Sequence, residues 1–190
     1  MMRIITGKAR GIRLKTLEGE ATRPTSERVK EAVFSMLQFD IEGREVLDLF
    51  AGSGQMGLEA LSRGAAHSVF VDRAPDAINI IRENSLKTKL AFDCSIYRSD
   101  ALDYIRRNRG KKFDLIFLDP PYASDLYRQA LRALCESDML KPSTLIICES
   151  NTQTIFGNDA TLEEYFAVQK VSQYSKTVIT VLSVLEKESS

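Results

Sequence analysis

Two short runs hold the residues whose types and spacing could do chemistry. The first is Asp48-Leu49-Phe50-Ala51-Gly52-Ser53-Gly54-Gln55-Met56-Gly57. Gly52, Gly54 and Gly57 satisfy the G-x-G-x-x-G spacing of a strand-to-helix turn whose backbone closely approaches a ligand, and Asp72 follows Gly52 where a ribose-binding acid falls. That spacing alone does not choose a cofactor. Asp48 helps, because a carboxylate just before the turn opposes a pyrophosphate at the helix N-terminus and suits a cation. S-adenosylmethionine carries both an ammonium and a sulfonium group. The candidate cofactor residues are then Asp48, Phe50, Ala51, Gly52, Gly54, Asp72, Asp100 and Ala101. Asp72 would accept from two ribose hydroxyls and Asp100 from the adenine amino group. The plain alternative is that strand-terminal Asp residues only cap the helices that follow them. Gly57 reads as a packing glycine.

The second run is Asp119-Pro120-Pro121-Tyr122, directly after Leu115-Ile116-Phe117-Leu118. Two prolines stop a strand and stiffen the chain where open parallel sheets place their ligands. The Asp119 carboxylate and the Pro120 carbonyl become fixed acceptors for both hydrogens of a planar amino group, and Tyr122 offers a ring for the base that bears it. An exocyclic amine is a weak nucleophile because its lone pair is delocalised into the ring. Acceptors on both N–H groups turn that lone pair toward a methyl donor, so orientation and electrostatics supply the acceleration without a covalent enzyme intermediate. The candidate catalytic residues are Asp119, Pro120, Pro121 and Tyr122.

Positioning these runs requires a regular scaffold. From about residue 45, short β-rich runs alternate with helical patterns: Glu45 to Phe50 then Gln55 to Arg63, Ser68 to Asp72 then Pro75 to Lys87, Cys94 to Arg98 then Asp100 to Arg107. Phe113 to Leu118, Ser124 to Glu136 and Thr144 to Glu149 continue the pattern. The alternation predicts an α/β fold with a parallel sheet covered by helices. Tyr165 to Val171 and Thr177 to Leu185, joined by the polar stretch Ser172 to Lys176, read as a closing antiparallel hairpin. At the other end, Arg3 to Thr6 and Ile12 to Thr16 read as a small hairpin, followed by a helix capped by Thr25 with the stripe Val29, Val33, Met36 and Leu37. Two domains are expected: a basic extension over residues 1–40 and a catalytic domain over 41–190.

Charge separates the same two regions. The 190 residues carry 26 basic and 26 acidic side chains, yet residues 1–30 alone hold a net +5. That asymmetry points to an anionic partner held by the arm. A second basic group, Arg106, Arg107, Arg109, Lys111 and Lys112, reads as a solvated helix end. Cys94, Cys135 and Cys148 lie far apart and read as small buried hydrophobes, with no metal site implied. The single histidine, His67, is placed in a turn, and a His-based triad is not expected. No apolar run approaches the ~18 residues of a membrane span, and the start lacks a leader pattern, so a cytoplasmic protein is expected.

Taken together, these runs resemble class I methyltransferases and, more narrowly, the RsmD-type bacterial 16S rRNA (guanine-N2) methyltransferases. The resemblance covers nearly the whole chain. It includes Arg3-Ile4-Ile5 with Gly7 and Arg10-Gly11, the run Arg23-Pro24-Thr25-Ser26-Glu27-Arg28-Val29-Lys30-Glu31-Ala32-Val33-Phe34, the glycine loop with Gly57 to Ala65, and Asp119-Pro120-Pro121-Tyr122. The Arg-Pro-Thr run is the narrow marker. The resemblance implies a Rossmann-like sheet, S-adenosylmethionine as cofactor, and N2 of a guanine of the guanine 966 type in 16S rRNA as acceptor. It also implies a small-subunit assembly intermediate as substrate, with Arg10, Arg13, Arg23, Thr25 and Arg28 as candidate RNA contacts and no obligate protein partner evident. Ile12 stands where a further basic residue would be expected. Three other readings stay open: an amino-methyltransferase acting on adenine N6 or cytosine N4 of RNA or DNA, a noncatalytic RNA-binding assembly protein, and, more distantly, a dinucleotide oxidoreductase.

Overall fold

The computed structural model describes residues 2–17, 27–121 and 125–185. The chain divides into two compact units, Met1–Ala101 and Leu102–Ser190. In the first unit the elements are α1 (Glu27–Met36), β1 (Glu45–Asp48), α2 (Gln55–Ser62), β2 (His67–Asp72), α3 (Pro75–Lys87), a single 3-10 turn (Ala91–Asp93) and β3 (Cys94–Arg98). The strands lie in the order β3-β2-β1 and pair in parallel, Asp48 opposite Phe70 and Asp72 opposite Arg98. Helical crossovers put cover on the sheet, so its middle strand must be apolar on both sides. Val69, Phe70 and Val71 of β2 are accordingly fully buried.

The helices follow from their sequences. Pro75 opens α3 at a position whose N–H would be unpaired in any case, Asp76 and Lys87 match the helix dipole, and Ala77, Ile78, Ile80 and Ile81 form its inner face. Within α2, Gly57 is the packing glycine anticipated above: a Cβ there would lie 2.3 Å from Phe70 Cε1 and 2.6 Å from Ser68 Oγ. Val29, Val33 and Leu37 are buried as their spacing predicts, Phe34 joins them, and so does Lys30, which the apolar pattern did not flag. The Thr25 cap lies outside the described residues.

The two N-terminal runs meet as one antiparallel bridge, Arg3 with Arg13, supported by Ile4 N–H to Ile12 O at 3.0 Å and Leu14 N–H to Met2 O at 3.0 Å. They extend no further because Ile5 and Thr6 direct their N–H groups to the Glu59 carboxylate, at 2.8 and 3.0 Å. Gly7 makes the close approach possible. Its φ is +85°, and a Cβ would sit 1.8 Å from the Ser62 carbonyl oxygen.

The second unit contains β4 (Phe113–Leu118), α5 (Leu126–Glu136), β5 (Leu140–Ser150), α6 (Ala160–Tyr165), β6 (Phe166–Tyr174) and β7 (Thr177–Val184), entered through α4 (Ala101–Arg107). Its strand order is β4-β5-β7-β6, with β4 and β5 parallel and β7 antiparallel to both β5 and β6. The seven strands among the described residues thus make a mostly parallel, Rossmann-like sheet closed by a C-terminal antiparallel hairpin.

Several boundaries differ from the sequence reading for identifiable reasons. β5 begins at Leu140 rather than Thr144, because an irregularity in the register carries the strand past Pro142, and Thr144 Oγ1 donates to Phe113 O at 2.7 Å and accepts from Lys141 N–H at 2.7 Å. β6 runs on to Tyr174, so the expected five-residue connection shrinks to a tight turn in which Ser175 takes a φ of 57°. The short α6 was not anticipated. His67 begins β2 instead of lying in a turn, its Nε2 2.8 Å from Ser95 Oγ. Of the three cysteines, all free thiols, only Cys148 is buried, while Cys94 and Cys135 are half-buried. Burial pushes the Cys94 thiol up to about 12 and raises Cys148 as well, which leaves both as poor nucleophiles. Among the described residues, no helix is long and apolar enough to cross a membrane.

Candidate active site

In the first unit the candidate cofactor residues cluster at the C-terminal ends of β1, β2 and β3. Asp48 is the last residue of β1 and is buried. Its Oδ2 accepts from the Gly57 N–H at 3.3 Å, so this carboxylate also sits across the first turn of α2. The chain then reverses through Gly52 and Gly54, with φ of 52° and 77°, a region that favours glycine. Gly54 caps α2, and its N–H donates to Ala51 O at 2.6 Å, closing the turn. Ala51 is tied to the neighbouring strand by its N–H to Val71 O at 3.1 Å.

Asp72 ends β2 and does more than the sequence suggested. Its Oδ2 accepts from the Gly52 N–H at 2.9 Å and its Oδ1 from the Ala74 N–H at 2.8 Å. One carboxylate therefore braces the glycine turn and the entry to α3, and each oxygen keeps a second lone pair for a hydroxyl. Asp100, two residues past β3, is exposed, and Ala101 beside it is buried. Phe50 is half-buried.

These residues fit S-adenosylmethionine. Positive φ at two glycines exposes backbone, Gly54 would crowd Ile81 at 3.2 Å and Phe70 at 3.4 Å if it carried a Cβ, and carboxylates stand at the ends of adjacent strands. An anion at this turn would face Asp48 and Asp72, whereas a cation with ribose hydroxyls finds acceptors. When bound, the cofactor supplies a methyl group on a positively charged sulfur.

In the second unit, Asp119 follows the last residue of β4, whose Leu115, Ile116, Phe117 and Leu118 are buried and hold the strand end fixed. Asp119 is half-buried, Pro120 is buried and Pro121 is exposed. Pro120 and Pro121 have no N–H, so neither proline is itself a backbone donor in the turn, and their carbonyls contribute acceptors only. Tyr122 lies outside the described residues.

Along the arm, some basic side chains are paired and others are not. Lys8 pairs with Asp93 at 3.4 Å, Lys15 with Glu83 at 2.8 Å, and Arg3 with Glu27 at 3.3 Å. Arg10, Arg13 and Arg28 are exposed and make no ion pair among the described residues. Arg23 and Thr25 lie outside the described residues. The second basic group is largely engaged at the surface: Arg106 with Asp103 at 3.0 Å, Lys112 with Asp138 at 2.5 Å, Arg109 with the Glu136 carbonyl, and Lys111 over the Phe113 ring at 5.5 Å.

Two polar residues that pattern reading passed over sit behind the site. Glu59 in α2 is fully buried and accepts from Ile5 and Thr6 N–H, from Arg63 Nε at 2.9 Å, and pairs with the buried Lys30 at 3.3 Å. Desolvation lowers the Lys30 pKa, against the opposing pull of Glu59. Asn84 in α3 is buried as well and touches both the glycine turn and the arm. Only the interruption of apolar helix faces by single polar residues could have flagged them.

Comparison with known proteins agrees with this geometry. The family model described as conserved hypothetical protein 95 matches residues 2–182. Ribosomal RNA small subunit methyltransferase D of Haemophilus influenzae is 39% identical over 151 residues, covering 78% of this chain and 78% of its own. The protein of the same name from Escherichia coli strain K12 is 33% identical, covering 80% and 76%. Among solved structures, the Escherichia coli protein YhhF superposes with a TM-score of 0.84 at 28% identity, over 96% of this chain and 97% of that one. The chain belongs to the conserved hypothetical protein 95 family and is an RsmD-type class I methyltransferase with S-adenosylmethionine as its cofactor.

Proposed function

We propose that this enzyme methylates the exocyclic N2 of one guanine, of the guanine 966 type, in 16S rRNA during small-subunit assembly. The observation that carries the reading is the Asp119-Pro120-Pro121 turn at the end of β4, whose acceptors suit an amino group and whose prolines keep it rigid. Relatives named ribosomal RNA small subunit methyltransferase D support rRNA as the substrate class. Asp119 and the Pro120 carbonyl accept the two N–H groups and turn the nitrogen lone pair outward, while Tyr122 stacks on the base. The N–C bond forms as the S–C bond breaks in line, and the N–H proton leaves to Asp119 or water. Asp48, Phe50, Ala51, Gly52, Gly54, Asp72, Asp100 and Ala101 hold the cofactor.

Residues 1–40 act as the RNA arm and 41–190 as the catalytic domain on this reading. The exposed Arg10, Arg13 and Arg28, joined by Arg23 and Thr25, grip phosphates. A guanine amino group is reached when the base is unpaired or flipped from its stack. A substrate of this kind places the enzyme in the cytoplasm. The test is incubation with radiolabelled S-adenosylmethionine and unmodified small subunits, followed by nucleoside analysis. N2-methylguanosine supports the proposal, N6-methyladenosine or N4-methylcytidine supports the alternative amino-methyltransferase, and absence of label contradicts both.

A further inference from the structure

Asn84 is buried late in α3, and every hydrogen-bonding group of its side-chain amide has a backbone partner in the first unit. Nδ2 donates to Ser53 O at 2.9 Å and to Lys15 O at 2.9 Å, and Oδ1 accepts from the Lys15 N–H at 2.8 Å. Its own carbonyl is held by Thr88 Oγ1 at 2.8 Å, which fixes the helix beneath it. Ser53 sits between the two positive-φ glycines of the cofactor turn, and Lys15 lies two residues beyond Arg13. A carboxamide, with two N–H donors and one acceptor oxygen, matches the three partners. Aspartate would set an oxygen against the carbonyls of Ser53 and Lys15, and alanine would leave three backbone groups without their bonds. A second contact joins the same two segments, Ser53 Oγ to Met2 Sδ at 3.5 Å. The far end of the arm is fastened separately, by Ser62 Oγ, which donates to Thr6 O at 2.6 Å and accepts from Ala9 N–H at 3.0 Å, and by Glu59.

We propose that Asn84 is a positioning residue for methyl transfer, one side chain that sets both the cofactor turn and the basic arm in register. The inference rests on the arm being the RNA contact. Losing its bonds loosens both segments, so the full-length Asn84→Ala enzyme has a cofactor Kd and a small-subunit KM each raised about fivefold or more, while kcat per folded molecule changes by less than about threefold. Asn84→Asp, which keeps the acceptor for Lys15, shifts both in the same direction. Ser62→Ala, at the far anchor, raises the RNA KM but leaves the cofactor Kd within about twofold. A purely structural role would lower Tm with Kd and KM at wild-type values, and that result overturns the proposal, as does movement of only one of the two constants in the Asn84 variants. Amide exchange in the wild type gives an independent reading: Lys15 N–H is protected, and an unprotected Lys15 also overturns it. Arg10→Ser with Arg13→Ser separates the two claims. If that variant raises the RNA KM and Asn84→Ala does not, the positioning role alone fails; if neither raises it, the arm reading fails.

Discussion

Asp72 was expected to bind ribose hydroxyls, and the structure gives it a structural duty at the same atoms. Its oxygens hold Gly52 N–H and Ala74 N–H, at 2.9 and 2.8 Å, so removing the carboxylate deprives the turn of its brace and, on the proposed function, the cofactor of its acceptor as well. Each lost bond to a charged group is worth about 1.5–3 kcal/mol, so Asp72→Ala is expected to weaken S-adenosylmethionine binding at least about tenfold by calorimetry. Asp72→Asn keeps one acceptor and falls between the two. A variant that bound as tightly as the wild type would show that Asp72 neither braces the turn nor meets the cofactor. Asp119 is predicted to behave in the opposite way, with turnover lost and cofactor affinity kept, because on the proposed function its oxygens address the acceptor base.

At the scale of elements, Gly57 decides how closely α2 lies on β2. Gly→Ala inside a helix normally stabilises by about 0.5–1 kcal/mol. Here the added methyl would lie 2.3 Å from Phe70, and overpacking of that kind costs about 1–3 kcal/mol, so the net effect of Gly57→Ala is destabilising. A thermal melt is expected to show Tm lowered by a few degrees; a raised Tm would contradict the packing role. The pairing of Arg132 with Asp159 at 2.7 Å joins α5 to the start of α6 and holds the Asp159 carboxyl below its ordinary value. Because the folded pKa is depressed, this stabilisation is full above the ordinary carboxylate value of 3.8 and is lost as pH falls through the folded value. Arg132→Gln is expected to be less stable than the wild type at pH 6, with the difference narrowing as pH falls below 3.8, measured by urea unfolding; a difference that grows toward low pH would contradict the pairing.

The strands and helices with clear periodicity were legible in the sequence. Pro75–Lys87, Cys94–Arg98 and Phe113–Leu118 match to the residue, because capping residues, turns and apolar runs agree there. The glycine turn and the proline turn were legible because each demands unusual residue types. What escaped were features that depend on distant partners. Lys30 and Glu59 interrupt apolar faces, and their burial follows only once the arm folds back onto α2. Pro142 masked the start of β5 because nothing local announces an irregularity closed by Thr144.

For the whole molecule, the balance of charge conceals a division of labour. The net charge is zero, but the arm is basic, and its Arg10, Arg13 and Arg28 stand free of ion pairs among the described residues while Lys8 and Lys15 are engaged. If the arm engages about five phosphates of single-stranded RNA, log affinity falls against log salt with a slope near about −3.5, roughly a hundredfold between about 50 and 200 mM. Affinity that does not change with salt would contradict the arm's role. The account as a whole depends on Asp119 presenting a fixed oxygen to an incoming amino group while the cofactor is held elsewhere. The most direct measurement is single-turnover methyl transfer to unmodified small subunits by Asp119→Ala at saturating S-adenosylmethionine. The expected result is a rate lowered at least about a hundredfold with cofactor Kd within a few-fold of wild type. A near-normal rate, or a loss explained by weaker cofactor binding, would contradict it.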